Sequence, residues 1–257
     1  MGVYKKRITV FAVCAFFFIL AGVLQYIDKD LPMFQSRICS HFVTIIFLLL
    51  IFVWVCSVKA RIVQKPTMDR LIAIAVLLFS WLFLRCVKYD FCVKNGTASR
   101  YMWYLYYVPQ CLVPPIAFVA ALGLTRQGNR TNKWVDLIFI PAIILIVLVL
   151  TNDLHQAAFR FKPNFENFSS DYTHGVVYYL AIAWIVSVTL AAVATLMLKC
   201  RISACRKRVW IPVLVFIVCT LACVLCFLFE TESYKVPELL SFSFILIFES
   251  CIWIGLI

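Results

Sequence analysis

Apolar residues occur along this chain in eight long stretches, each separated from the next by a more polar segment. The eight apolar runs lie near residues 8–27, 39–58, 69–88, 102–124, 134–152, 176–198, 209–229 and 236–257. Each is close to the roughly 20 residues that a helix needs to cross the hydrocarbon core of a bilayer. A transmembrane barrel would instead need segments of about 10 residues with alternating polarity, and residues 45–53 do not alternate. The pattern therefore predicts an all-α, polytopic transmembrane helix bundle with eight spans.

The segments between the runs are too short to form a separate soluble domain. The longest runs from Asp153 to Gly175 and is predicted to be a polar loop, although it contains Phe161, Phe165 and Phe168. We therefore expect no soluble domain in this chain.

The first run has a basic start and an apolar middle, which are also features of a cleaved signal peptide. It is long, however, and no clear small-x-small cleavage site precedes the polar residues 25–30. We expect residues 1–33 to form an N-terminal transmembrane helix with an outer loop, and residues 34–257 to form a seven-helix transmembrane domain. Cleavage would leave those seven helices with the same orientation.

The formal net charge of +12 raises the question of a nucleic-acid partner, which the positions of the charges answer. If the N-terminus is cytoplasmic, the cytoplasmic segments carry fifteen basic and two acidic residues, whereas the outer segments carry nine of each. Basic residues concentrate on the cytoplasmic side of membrane proteins, so the charge reflects topology. We therefore expect a multi-pass protein of the inner or plasma membrane, with both termini in the cytoplasm. Its partner along the apolar runs is the lipid bilayer, and no nucleic acid is expected.

Residue patterns typical of membrane enzymes are missing from the sequence. There is no G-x-S-x-G or H-E-x-x-H motif, no phosphate-cradling loop and no catalytic pair of carboxylates, and there are three histidines. We therefore expect no catalytic residue, no metal site and no cofactor. Glycine and proline also do not interrupt the helices at matching positions of two halves, which would be typical of a secondary transporter.

Two unusual segments are expected on the same face of the membrane. One is RYMWYLYYVPQCLVPP, Arg100 to Pro115, at the start of the fourth run. The other is LTNDLHQ, Leu150 to Gln156, at the end of the fifth run. Because the fourth run enters from the outer side and the fifth run returns to it, both segments are predicted at the outer face.

Aromatic and polar residues of the fourth run share one helical stripe. Its members are Trp103, Tyr106, Tyr107, Gln110 and Pro114. Because Gln110 is too polar to face lipid, the stripe is expected to point into the bundle. An interfacial belt that anchors the helix at headgroup depth is the alternative.

Three prolines follow within the same run, at positions 109, 114 and 115. Each removes a backbone donor and leaves a carbonyl that needs another partner. We therefore expect a kink, or a ligand-accessible cavity, beneath the outer surface.

Charged residues gather around this outer region. The expected rim consists of Asp153, His155, Arg100, Arg85, Lys88 and Asp90. Such a rim could bind a ligand or sense pH. The alternative is that Asp153 caps the end of a helix and that His155 is simply hydrated at the interface. One histidine beside one aspartate is too few ligands for a closed metal site.

Glu249 lies within the eighth run, where a carboxylate is costly and normally faces the bundle. A functional role and a helix-to-helix hydrogen bond are both consistent with it. Arg85 is not expected to be its partner, because the depths of the two residues differ by roughly 10 Å at the rise of a helix.

Several segments together resemble the N-terminal seven-transmembrane sensor region of bacterial histidine kinases. They are RYMWYLYYVP, LTNDLHQ and FESCIWIGLI, with RIVQKP at Arg61 to Pro66 and FLRCVKYDF at Phe83 to Phe91. The resemblance implies the membrane-embedded sensor or receptor region of a two-component signal-transduction protein. It also implies an extracellular or membrane ligand, either a small molecule or a peptide. A cytoplasmic kinase or other output module in cis or in trans, and a homodimer, are the further partners implied.

The residues singled out above are then the candidates for ligand sensing. The main candidates are Arg100, Trp103, Tyr106, Tyr107, Gln110, Asp153 and His155, and the secondary candidates are Arg85, Lys88, Asp90 and Glu249.

The chain departs from the family pattern in two respects. Eight spans are predicted where the family has seven, and the sequence contains neither a phosphoacceptor helix nor an ATP-binding domain. The chain is therefore expected to be either a fragment of a kinase or a stand-alone sensor without enzymatic activity of its own. A small membrane transporter or channel, with Gln110 and Glu249 on a polar path, is the alternative function.

Overall fold

Helices make up nearly all of the chain that the computed structural model describes. The described residues are 33–93, 96–123, 133–162, 168, 171–199, 210–228 and 236–253, together with Phe16, Leu20 and Val23. The N-terminal helix and outer loop predicted for residues 1–33 thus lie almost entirely outside the described residues. Phe165 and the basic segments 124–132 and 200–209 lie outside them as well.

The described elements follow one another in a simple order. The α-helices are α1 (Met33–Arg61), α2 (Lys65–Asp90), α3 (Thr97–Leu105), α4 (Tyr107–Gly123), α5 (Phe139–Leu150), the single turn α6 (Asn152–His155), α7 (Val176–Lys199), α8 (Trp210–Leu228) and α9 (Val236–Trp253). A 3-10 helix, Lys133–Ile138, leads into α5, and two short strands, β1 (Phe159–Phe161) and β2 (Tyr172–His174), precede α7.

Four of the described helical stretches are long and apolar enough to cross a membrane. They are Ser40–Arg61, Lys65–Asp90, Thr97–Gly123 and Val176–Leu198, with 22 to 27 residues each. Three shorter apolar helices correspond to the fifth, seventh and eighth runs, at Val135–Leu150, Trp210–Leu221 and Ser241–Ile252. The all-α, multi-pass membrane architecture is confirmed, whereas the count of seven helices plus one, and the orientation of the termini, stay predictions.

The described chain divides into two compact units. One unit comprises residues 1–68 and 200–257, and the other comprises residues 69–199. In the first, α9 packs against both α1 and α8. The rings of Trp54 in α1 and Phe248 in α9 have their centroids 6.1 Å apart, and Trp54 is fully buried. Large apolar side chains therefore hold α1 and α9 together.

The second unit is built around α4. This helix packs against α7 and α5, and α3 packs against α5 and α4. Its buried core contains Tyr104, Tyr107, Cys111, Ala142, Leu145, Val149, Ala158, Phe159, Val177 and Ala181. Small residues such as Ala142 and Ala181 let the helices approach closely, as is common between membrane helices. Near the start of α2, Arg70 Nη1 donates a hydrogen bond to the carbonyl of Val119 in α4 at 3.1 Å.

The fourth run, in which the three prolines predicted a kink or a cavity, contains an irregular turn. It begins earlier, at Thr97, and is interrupted at Tyr106, whose N–H bonds to the carbonyl of Trp103 at 3.2 Å. Pro109 explains the position of the break, because it offers no N–H to the carbonyl of Leu105 and its ring crowds that carbonyl. Helix α4 continues through Pro114 and Pro115 without ending.

The described residues of the segment 153–175 include regular elements where a polar loop was predicted. After α6, Gln156 adopts a left-handed conformation with φ of 48°. The chain then forms an antiparallel ribbon in which β1 pairs with β2, with Phe159 opposite His174 and Phe161 opposite Tyr172. Gly175 ends the ribbon where a Cβ atom would lie 2.1 Å from the carbonyl oxygen of Ala157, so only glycine fits without a backbone shift.

Candidate functional site

Helix α3, the turn α6, the ribbon and the start of α7 meet at one end of the unit formed by residues 69–199. Asn152 lies at their junction and is fully buried. Its Oδ1 accepts hydrogen bonds from the N–H groups of Ala158 at 2.9 Å and Phe159 at 3.0 Å. Its Nδ2 donates to the carbonyl of Phe159 at 3.0 Å and to the hydroxyl of Tyr104 at 3.3 Å. One side chain therefore connects α6 to both the ribbon and α3.

A charged group adjoins this junction. Arg100 Nη2 and Asp153 Oδ2 form an ion pair of 2.7 Å, and the Tyr104 hydroxyl donates to Asp153 Oδ1 at 2.8 Å. The side chains of Arg100 and Asp153 are 18% and 23% exposed, so the pair is within reach of solvent. The structure thus brings together two residues that the sequence had placed in one rim.

Arg100, Tyr104, Asn152 and Asp153 are hereafter called the Asp153 network. Sequence reasoning missed Tyr104 and Asn152. The spacing did contain a signal for Tyr104, because it lies four residues after Arg100, and residues four apart on a helix face the same side. Asn152 is adjacent to Asp153, but no local pattern shows that its side chain binds the backbone six and seven residues further on.

Phe159 is the centre of an aromatic cluster beside this network. It is fully buried. Its ring lies 4.4 Å from Trp103 and is stacked on Tyr104 at 6.0 Å, measured between centroids. Further ring contacts join it to Tyr107, Tyr172, His174 and Tyr178. The sequence carried no signal for this role, since Phe159 lies in the segment predicted to be a polar loop.

Tyr172 supplies a hydroxyl at the edge of the cluster. Burial, and secondarily the neighbouring Tyr178, raises the pKa of Tyr172 above its ordinary value. The phenol therefore stays neutral at physiological pH and can act as a hydrogen-bond donor.

The bonds that the described residues show for His155 lie within the turn itself. Its side chain is exposed, and its Nδ1 accepts a hydrogen bond from the N–H of Ala157 at 3.0 Å. Its Nε2 is 3.3 Å from the hydroxyl of Thr151. These contacts stabilise the turn, and a sensing role for His155 stays a prediction.

The aromatic residues of the predicted stripe do not all share one neighbour. Trp103 and Tyr107, on either side of the irregular turn, both contact Phe159. Tyr106 is buried beside α2, where the ammonium of Lys88 lies 5.8 Å from the centre of its ring.

The remaining stripe residues, Gln110 and Pro114, lie in α4. Gln110 is half-buried, and Pro114 is buried inside the helix. The contacts found here show no ligand-binding arrangement around Gln110, and its role in sensing stays a prediction.

The secondary candidates fall into separate groups. Arg85 and Lys88 are buried near the end of α2, while Asp90 at its last position is exposed. They belong to the same unit as the Asp153 network. That they form one rim with Arg100 and Asp153 stays a prediction.

Glu249 belongs to the other unit and forms an ion pair with Arg61 there. Its side chain is 4% exposed and that of Arg61 is 17% exposed. The guanidinium also donates from Nε to the carbonyl of Ser57 at 3.4 Å. Arg61 is the last residue of α1, so the ion pair joins the end of that helix to α9. From the sequence, Arg61 had counted only among the cytoplasmic basic residues.

Within the described ranges, no three His, Cys, Asp or Glu side chains are grouped so that they could hold a metal ion. The Asp153 network is a hydrogen-bonded polar junction whose charged pair is partly accessible to solvent.

Comparison with known proteins gives one match. A family model described as the N-terminal 7TM region of histidine kinase matches residues 38–256 of this chain. No curated protein and no solved structure matches it.

Proposed function

Because this chain belongs to the family of N-terminal seven-transmembrane regions of histidine kinases, we propose that it detects a ligand at the Asp153 network. The family places the chain in the membrane sensor region of a signal-transduction protein. In the proposal, an extracellular or membrane ligand binds at this network, and the change is relayed to a histidine-kinase-type output module on the cytoplasmic side.

The observation that carries the proposal is the ion pair of Arg100 and Asp153, bridged to Asn152 through Tyr104. Both charged side chains retain some exposure, so a ligand with a charged group can compete for either partner. Charge-assisted hydrogen bonds are strong and directional, so exchanging one alters the preferred position of α3 against the turn α6. The bonds of Asn152 then transmit that shift to the ribbon.

Such a sensor works by population shift. A ligand changes the output only if it binds one packing of the helices more tightly than another. In the proposal, the aromatic cluster around Phe159, where α3, the ribbon and the start of α7 meet, is the part whose packing the ligand changes.

In the proposal, the conformational change passes along α2 to its first residue, Lys65, and from there to Arg61. Helix α2 is continuous from Lys65 to Asp90 and begins four residues after Arg61. The ion pair between Arg61 and Glu249 joins the end of α1 to α9. A movement of α2 that displaces Arg61 would therefore also displace α9, the last described helix of the chain.

The decisive experiment uses the chain joined to its kinase output module in native membranes. The variants R100Q and D153N are compared with R160Q, which removes an exposed arginine on β1. We expect R100Q and D153N to change basal phosphotransfer or its response to active culture conditions by about tenfold, the effect of roughly 1.4 kcal/mol on the two-state equilibrium. R160Q should leave both unchanged.

Normal membrane insertion with unchanged phosphotransfer in both R100Q and D153N would remove this network from sensing. The transporter or channel alternative is tested separately by solute flux in proteoliposomes. Flux that E249Q abolishes would favour that alternative, although the pairing of Glu249 with Arg61 makes its carboxylate a poor member of a conducting path.

A further inference from the structure

Two basic residues are buried side by side at the C-terminal end of α2. Arg85 is 6% exposed and Lys88 is 8% exposed, and their spacing of three residues puts them on one face of the helix. Like charges at this separation repel, and burial removes the water that would screen them. A negative charge placed beside the pair is attracted by both side chains.

Aromatic rings surround the ammonium of Lys88. Its Nζ lies 4.9 Å from the centre of the Tyr89 ring, 5.8 Å from that of Tyr106 and 5.3 Å from that of Phe168. Rings attract a cation, but an ammonium has three N–H donors that need oxygen acceptors. Lys88 takes part in none of the ion pairs or hydrogen bonds found among the described residues.

Tyr106 brings a third polar group to the same place. It is 8% exposed, and its buried hydroxyl has no hydrogen-bond partner within the described part of the chain. The hydroxyl is near enough to Arg85 to interact with it electrostatically. A buried hydroxyl without a hydrogen-bond partner destabilises the fold, and a bound ligand that accepts its hydrogen bond would remove this cost.

We propose that Arg85, Lys88 and Tyr106 form a binding site for a phosphate group. A phosphate has several oxygen acceptors, so it can take hydrogen bonds from a guanidinium, an ammonium and a hydroxyl at once. Its negative charge offsets the repulsion between the two cations. A neutral ligand would offer acceptors without this charge, and a cation would add to the repulsion.

The position of the site suits this chemistry. Lys88 is two residues from the end of a 26-residue apolar helix, which is the depth at which phospholipid headgroups lie. The group bound is therefore either the phosphate of an anionic phospholipid or inorganic phosphate. The ring of Phe168, which is 2% exposed, has its centre 5.3 Å from the Lys88 ammonium and 5.8 Å from that of the Trp103 ring. Phe168 therefore connects the phosphate site to the aromatic cluster.

The test reads binding by the full purified chain and does not depend on ligand sensing at the Asp153 network. The variants are Y106F, which removes one hydroxyl, and K88M, which removes the ammonium but keeps an unbranched side chain. K162M, at an exposed position after β1, is the matched control. Retained phosphatidylglycerol is counted by native mass spectrometry, and the melting temperature is measured in lipid-free detergent with inorganic phosphate or with chloride at equal ionic strength.

For a lipid headgroup, we expect the original chain and K162M to retain phosphatidylglycerol, K88M to lose it and Y106F to bind it about tenfold more weakly. For free phosphate, the melting temperature rises with phosphate but not with chloride, and the rise is absent in K88M. The proposal is overturned if the original chain and Y106F behave alike in both measurements, since the single hydroxyl leaves folding of the variant intact.

Discussion

Asn152 shows at the level of one residue how the candidate site is assembled. Its amide accepts two hydrogen bonds and donates two, and all four partners are buried protein groups. A carboxylate has no donor and an alkyl side chain has neither function, so neither could replace it. The residue therefore determines where β1 starts relative to α3, although nothing in its local sequence distinguishes it from a helix-capping asparagine.

Tyr104 can be tested without disturbing the aromatic packing. Replacing it with phenylalanine keeps the ring stacked on Phe159 but removes the bonds of its hydroxyl to Asp153 and Asn152. We expect Y104F to lower the free energy of unfolding by about 1–3 kcal/mol, because the buried Asn152 amide loses a partner.

The matched control for Y104F is Y101F, at a ring that is 41% exposed and meets Tyr104 edge-on. Surface changes of this kind usually stay within about 0.5 kcal/mol. Unfolding in dodecyl sulfate mixed micelles compares the two variants. Equal stability of Y104F and Y101F would contradict the importance of the Tyr104 hydroxyl.

The short ribbon between α6 and α7 is the element that the hydrophobic pattern did not predict. It pairs three residues of β1 with three of β2 and carries Phe159 into the core. A span-finding pattern treats such a segment as a loop, because it is too short and too polar to cross the bilayer. Its register depends instead on Asn152 at one end and on Gly175 at the other.

Glycine at position 175 allows the ribbon and α7 to join. A Cβ atom there would lie 2.1 Å from the carbonyl oxygen of Ala157, which belongs to the backbone and cannot rotate away. We expect G175A to destabilise the protein by about 2–4 kcal/mol, in the range of substitutions that force a backbone shift.

The control for this change is G96A, at the N-terminus of α3. The nearest atom to an added Cβ there is the carbonyl oxygen of Val93 at 3.1 Å, a contact that a small adjustment relieves. Thermal unfolding in lipid nanodiscs should therefore show a smaller loss for G96A than for G175A. The reverse order would show that the ribbon tolerates a side chain at its end.

The aromatic residues around the irregular turn between α3 and α4 have different neighbours. Trp103 and Tyr107, which lie four residues apart on either side of Tyr106, both contact Phe159. Tyr106 instead lies beside Lys88. The sequence put these residues on one stripe, but it did not show which neighbour each of them would meet.

At the scale of the whole molecule, each of the two units contains a charged pair among its described residues. In the unit of residues 1–68 and 200–257, the ion pair joins α1 to α9 through Arg61 and Glu249, two residues that are 188 positions apart in sequence. Removing one partner leaves an uncompensated buried charge, which typically costs 3–5 kcal/mol.

A double-mutant cycle tests this pair. We expect E249Q and R61M to destabilise the chain by about 3 kcal/mol each, and the double variant R61M/E249Q to be more stable than either single variant. Denaturation in mixed micelles of all four proteins gives the coupling energy. Additive losses would show that the two side chains do not depend on one another.

The sequence by itself determined the membrane class and the apolar runs that become helices. Backbone N–H and C=O groups cannot remain unpaired in hydrocarbon, so a run of about 20 apolar residues that crosses the bilayer forms a helix. It also placed Arg100 and Asp153 at the same end of neighbouring helices, since consecutive spans run in opposite directions. The family match agrees with the resemblance seen in the sequence motifs.

Only the tertiary structure decided which side chains bond to or pack against one another. The bond of Tyr104 to Asp153, the place of Phe159 in the core and the pairing of Glu249 with Arg61 join residues 49 to 188 positions apart, or depend on contacts across several elements. Hydropathy reports whether a residue prefers lipid or water, and that preference is the same for every arrangement of the helices. Packing and hydrogen bonding between elements select one arrangement, and they bring the polar side chains together.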